Sequence, residues 1–100
     1  MRAPARSREV AVDFQPAQAA AMERKVVAAV RNGAAEVVLR LDHLERLEVS
    51  DLRCLIVLLR KAREAGGSLA IQTSKPQIRR ILAVTALDRL FAVRADSEAA

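Results

Sequence analysis

One hundred residues with seventeen basic and twelve acidic side chains, a formal charge of +5, make a single domain of ordinary size. Twenty of the hydrophobic residues are alanine, Trp and Tyr are absent and Phe occurs twice, so Leu, Ile and Val must build the core. Each contributes roughly 1.5–3 kcal/mol when fully buried. The lone Cys54 excludes an internal disulfide, the longest strongly apolar run, CLIVLL, is far below the ~20 residues that span a bilayer, and the amino end lacks the apolar stretch of a secretory signal. A cytoplasmic protein without a transmembrane segment is therefore expected.

Residues 9–14, EVAVDF, alternate as a strand with Val10, Val12 and Phe14 on one side. Pro16 suits a first helical turn, and AQAAAMERKVVAAVRNG follows with Met22, Val26 and Val30 at helical spacing. Arg24, Lys25 and Arg31 fall on the opposite face, and Asn32-Gly33 ends the helix. Residues 36–41, EVVLRL, are apolar enough for a central strand.

DLRCLIVLLRKAREAGG then predicts a second helix. Leu52, Leu55, Leu59 and Ala62 form its buried stripe, widened by Ile56 and Leu58, while Arg53, Arg60, Lys61 and Glu64 mark the wet face. Gly66-Gly67 stops it. Residues 68–73, SLAIQT, are a third strand with Leu69, Ile71 and Thr73 on one side. SKPQIRRILAVTALDRLF opens with a serine two residues before Pro76, a helix-start signature, and sets Ile78, Ile81, Leu82 and Thr85 against Arg79, Arg80 and Ala83. AVRADSEAA adds a few extended residues and a polar tail over 95–100. Strand and helix thus alternate as β-α-β-α-β-α, which predicts an α/β fold with a small, mostly parallel sheet and a core over about residues 9–94.

Catalytic patterns are missing. The glycines are Gly33, Gly66 and Gly67, so no phosphate-cradling glycine motif exists. His43 alone cannot supply a zinc site and reads as a surface-turn residue; Cys54 reads as a small packing residue. The sequence therefore predicts no enzyme, no cofactor, no metal and no small-molecule substrate. The basic pairs Arg24-Lys25, Arg60-Lys61 and Arg79-Arg80 have no aromatic neighbours to stack on bases, so solvated arginines are favoured over nucleic-acid binding.

The stretch EVVLRLDHLERLEVSDLRCLIVLLRKAREAGGSLAIQTSKPQIRRILAVTALDRLFAV resembles the STAS domain of anti-sigma factor antagonists and sulfate transporters. AGG (65–67) and TALDRLF (85–91) are close copies of family segments at matching distances, and the likeness extends more loosely back to residue 9. The resemblance implies a protein-docking module. Its implied partner is a serine-kinase-type anti-sigma factor, which phosphorylates the first serine of Asp-Ser-Ser/Thr-Gly at a helix start. A stand-alone member clamped on the ATPase of a lipid-transporting ABC system is the alternative the family offers.

Aligned on the helix and on AGG, that motif falls on Glu48-Val49-Ser50-Asp51. The acceptor slot is Val49, which has no hydroxyl. Ser50 has three readings: the N-cap of the helix, worth around 1 kcal/mol; a phosphoacceptor displaced by one residue; or a partner contact. Asp51 places a fixed carboxylate beside the slot. It carries about half a phosphate's charge, so constitutive docking or a different partner is favoured over phosphate mimicry, and Asp51→Gly is the natural test of that charge. Leu47, Glu48, Val49, Ser50, Asp51, Arg53 and Val57 are the expected docking residues, with Val57 placed on the wet face by helical angle. Two departures from the family carry expectations. Ala86 stands where the family has glycine, straining a left-handed position by about 1 kcal/mol or shifting the turn. The family also places one or two strands before residues 9–14; without them a sheet edge is open, which favours a homodimer or an added partner strand.

Overall fold

The structure, a computed structural model, describes residues 8–94; the expected tail at 95–100 lies outside the described residues. Its elements are β1 (Glu9–Asp13), α1 (Ala19–Arg31), β2 (Glu36–Arg40), α2 (Val49–Glu64), β3 (Ser68–Gln72), α3 (Pro76–Val84) and β4 (Ala92–Arg94). Short 3-10 turns at Pro16–Gln18 and Leu87–Arg89 precede α1 and β4. The four strands form one sheet in the order β1-β2-β3-β4, every pair parallel. Parallel crossovers are right-handed, and three that step in one direction put all three helices on the same face of the sheet.

That face is built from every second strand residue. Val10, Val12, Val37, Leu39, Leu69, Ile71 and Val93 share it by register. Buried Met22 and Val26 of α1, Leu55, Leu58, Leu59 and Ala62 of α2, and Ile78 and Leu82 of α3 pack into the same cluster as Val37, Leu39, Leu69 and Ile71. The opposite face carries Glu9, Ala11, Asp13, Glu36, Val38, Arg40, Ala70, Ala92 and Arg94. Here the charges pair across strands. Arg40 Nε donates to Asp13 Oδ1 at 2.8 Å, and Arg94 of β4 reaches Glu9 of β1 at 2.6 and 3.0 Å as well as Glu36 of β2. A side chain from β4 that meets carboxylates on β1 and β2 must cross β3, which lays its apolar stem along the sheet.

Several boundaries differ from the sequence reading. Pro16 opens a 3-10 turn and the α-helix begins at Ala19. The last helix ends at Val84 rather than running on through TALDRLF. The Thr85 hydroxyl donates to Ile81 O at 2.7 Å, and Ala86 then turns left-handed at φ 63°, its N–H donating to Ala83 O at 3.0 Å. Ser74 does not cap α3: the flanking residue is Lys75, and the Ser74 hydroxyl donates to Asp42 instead. On α2, Ile56 is 40% exposed rather than part of the buried stripe, and Val57 is half-buried rather than on the wet face.

Ala86 is the described non-glycine residue with positive φ, so the left-handed strain expected at this position is present. Ala86→Gly should raise stability by about 0.5–1 kcal/mol, the relief of the Cβ penalty exceeding the added freedom of the unfolded chain. A urea midpoint equal to or below that of the parent would show that no strain is held there.

Candidate docking surface

At the carboxyl end of β2 the chain leaves the sheet and crosses eight residues to α2. Leu41 and Leu47 are buried and Leu44 packs beside them, so the loop is pinned from below by three leucines. Leu47, expected at the docking surface, is only 9% exposed and faces the core. His43 ties the loop sideways: its Nε2 donates to Phe14 O at 2.6 Å. Asp42 ties it to the next loop, accepting from Thr73 Oγ1 at 2.9 Å, Ser74 N–H at 2.8 Å and Ser74 Oγ at 2.9 Å. Lys75 Nζ closes the lock on Leu44 O at 2.7 Å. Partial burial pushes the Asp42 carboxyl up, but its hydrogen bonds from Ser74 and Thr73 and the Lys75 charge outweigh that and hold it below the ordinary value.

The helix itself begins at Val49, with Glu48 as the extended residue before it. Val49 is therefore the first helical residue and is 67% exposed. Ser50 lies one step inside and is exposed, so it is not the N-cap that serine's capping propensity had suggested. The cap is a reciprocal box: Asp51 Oδ2 accepts the Glu48 N–H at 2.9 Å and the Glu48 side chain accepts the Asp51 N–H, while Glu48 Oε2 also takes Arg46 Nε at 2.8 Å. An acid three residues beyond the flanking position satisfies an orphan backbone donor and suits the positive helix end. Asp51 thus turns back onto the backbone instead of projecting toward a partner. Asp51→Gly would also remove this cap, so Asp51→Asn, which keeps an acceptor oxygen, isolates the charge.

Of the remaining expected residues, Arg53 is exposed, whereas Val57 lies on the flank of α2 toward α1, the side where Lys61 shares a groove with Arg24, Val27 and Arg31. Cys54 is half-buried; burial, then the Asp51 and Glu23 charges, raise its thiol above the ordinary value, which keeps it protonated at neutral pH. Among the described residues no three His, Cys, Asp or Glu side chains gather to hold a metal, and no described helix is long and apolar enough to cross a membrane. What stands at the head of α2 is an aliphatic side chain presented to solvent on a loop locked from three directions. Sequence reasoning missed the Asp42 lock, although a signal existed: Arg40 pairs with Gln72, so Asp42 and Ser74 stand at equivalent places beyond their strands.

The all-parallel sheet, with three helices alternating with its strands, is the α/β fold that the sequence resembles. A family model described as "Mlab, STAS domain" matches residues 6–93, and the chain belongs to this STAS family. Solved structures share the fold. The NMR structure of the protein TM1081 is 19% identical with a TM-score of 0.71, covering 88% of this chain and 74% of that one. A crystal structure of the Thermotoga maritima protein of that name, described as a proposed anti-sigma factor antagonist, is 20% identical with a TM-score of 0.62, covering 88% and 73%. A crystal structure of an anti-sigma factor antagonist from Mycobacterium paratuberculosis is 24% identical with a TM-score of 0.60, covering 86% and 73%. No curated protein matches the sequence.

Proposed function

We propose that this protein is a non-catalytic docking module of the anti-sigma factor antagonist kind, whose docking surface lacks the hydroxyl trigger. The observation that carries this reading is Val49: two-thirds exposed, at the first residue of the helix that starts from the locked loop, and chemically unable to accept a phosphate. Its partner is a serine-kinase-type anti-sigma factor, bound constitutively because Asp51 is spent on the backbone cap. A second reading, a subunit clamped on the ATPase of a lipid-transporting ABC system, is favoured by the same valine, since a permanent clamp needs no phosphate switch. A homodimer along the edge of β1, which no described strand covers, has a charge objection: antiparallel pairing about Ala11 sets Glu9 of one copy opposite Asp13 of the other.

Co-purification from native lysate with the partner identified by mass spectrometry separates the two readings. Val49→Glu should weaken capture at least about tenfold by placing a desolvated charge in the interface, with thermal stability unchanged because the side chain is exposed. Incubated with a captured kinase and ATP, the parent should keep its mass while Val49→Ser gains one phosphate. A phosphate on Ser50 of the parent would sink the reading of a lost trigger.

A further inference from the structure

The exposed face of α2 carries a pattern that its amino-terminal end does not explain. Val49, Arg53, Ile56, Arg60 and Arg63 recur at intervals of four, three, four and three residues, so they form one straight ridge. All five are exposed. At about 1.5 Å per residue the ridge runs roughly 21 Å, about four helical turns. Its lower end meets Leu90, 45% exposed, beside Arg63, whose guanidinium donates to Leu90 O at 3.5 Å. Between them lies a groove of about 390 Å³ lined by Ile56, Leu59, Arg60, Arg63, Glu64 and Leu90. Three of the four large aliphatic residues exposed on the described surface, Val49, Ile56 and Leu90, therefore stand on this one strip.

Aliphatic and cationic side chains are interspersed along the strip, with Arg60 and Arg63 adjacent at its foot. Among the described residues, the salt bridges engage Arg40, Arg46 and Arg94 but not Arg53, Arg60 or Arg63. Three unneutralised guanidinium groups are poised for carboxylates, which they can meet in bidentate fashion. Only Glu64, at the foot, opposes that charge within the groove.

We infer that this ridge and groove bind an acidic amphipathic helix of a partner protein, one that alternates aliphatic and carboxylate side chains along its contacting face. The straight four-turn geometry matches helix-in-groove recognition, with Ile56 and Leu90 as the apolar floor and the arginines as the rim. Nucleic acid would leave the aliphatic residues without partners, and both phenylalanines, Phe14 and Phe91, are buried and unable to stack on bases. Three arginines also fall short of the four to eight basic residues that recruit anionic lipid. The inference extends the docking surface beyond Val49 and depends on the proposed function only for the partner being a protein.

The test uses the full chain and a blocked synthetic peptide of about 20 residues with leucine and glutamate at helical spacing. A charge-swapped lysine peptide, phosphatidylserine vesicles and mixed-sequence DNA serve as comparisons. Saturable binding of the glutamate peptide is expected, with NMR shift changes centred on Arg53, Ile56, Arg60, Arg63 and Leu90. Arg60→Glu/Arg63→Glu should weaken it at least about tenfold and bind the lysine peptide instead; a circular-dichroism melt confirms that the variant is folded. No saturable binding by about 1 mM peptide, shifts confined to another face, or preference for vesicles or DNA overturns the inference. Loss of native-partner capture with peptide binding intact would remove the proposed function and leave this surface standing.

Discussion

Gly67→Ala should destabilise the protein by about 1–3 kcal/mol, and the loss should be partly repaired by Val30→Ala. A Cβ built at Gly67 falls 2.7 Å from Val30 Cγ2 and 2.9 Å from Val30 Cγ1, distances that real Cβ atoms do not tolerate. Val30 cannot step aside. It is buried at the end of α1, and a β-branched side chain in a helix is held to one χ1 rotamer. The added methyl must therefore push the carboxyl end of α1 away from the turn that feeds β3, an overpacking cost. Val30→Ala alone opens a small cavity and costs about 1–2 kcal/mol, but in the double variant the new methyl occupies that space. The cycle should show a coupling of at least about 0.5 kcal/mol in the restoring direction. Gly66→Ala is the control. That residue has φ +101° and nothing within 4 Å of its added Cβ, so its cost is conformational, about 1–2 kcal/mol, and Val30→Ala leaves it untouched. Urea midpoints at constant m measure all six proteins, the Gly66→Ala/Val30→Ala double among them. A Gly67→Ala protein within about 0.5 kcal/mol of the parent, or an additive cycle, would deny the close approach.

These glycines show where a sequence stops being legible. Gly66-Gly67 announces the end of a helix, and the helix does end there, but the two residues serve different needs. One supplies a left-handed φ and the other clears space for a residue thirty-seven positions away, which no local pattern contains. The alternation of strands and helices was readable for the complementary reason: period-two and period-3.6 runs are local, and parallel order follows from crossover length.

The start of α2 was readable in position, and its faces were misread in phase. The buried arc of α2 is centred on Leu55, Leu58, Leu59 and Ala62, as the leucine spacing implies. Its flanks are set by neighbours instead. Val57 is half-buried while Ile56, on the opposite flank, is exposed, and helical angle alone cannot distinguish a covered flank from a bare one. Ser50 failed as a cap for a similar reason. Its capping propensity is strong, but Asp51 is placed to reach back to the Glu48 N–H, and three leucines in the preceding loop set where the helix can start. Local propensity lost to tertiary anchoring.

That anchoring predicts the second large effect. Asp42→Ala should cost about 1–2 kcal/mol at neutral pH and should remove part of the protein's sensitivity to acid. The carboxylate takes three hydrogen bonds from Thr73 and Ser74, and Thr73 is fully buried, so truncation strands a hydroxyl donor that water reaches poorly. Exposure of the carboxylate itself lets solvent replace the Ser74 contacts, which keeps the cost below that of a buried charge pair. The sign of the pH effect follows from the depressed carboxyl. Its stabilisation is complete above the unfolded value near 4 and is lost as pH falls through the lower folded value. The stability difference between parent and Asp42→Ala should therefore be constant above about pH 5 and shrink below about pH 4. Glu9, lowered chiefly by its hydrogen bond from Arg94, adds a second acid-sensitive contribution that the variant retains, so the variant's curve should flatten without becoming level. Asp42→Asn, with one acceptor oxygen left, should fall between the two. Hydrogen exchange locates the damage: amides of the loop from Leu41 to Glu48 and of Ser74 should exchange faster, while those of β2 and β3 keep their protection. A difference that persists unchanged to pH 3, or faster exchange spread evenly over the sheet, would mean that Asp42 acts through general stability and that the loop holding Val49 is fixed by its leucines alone.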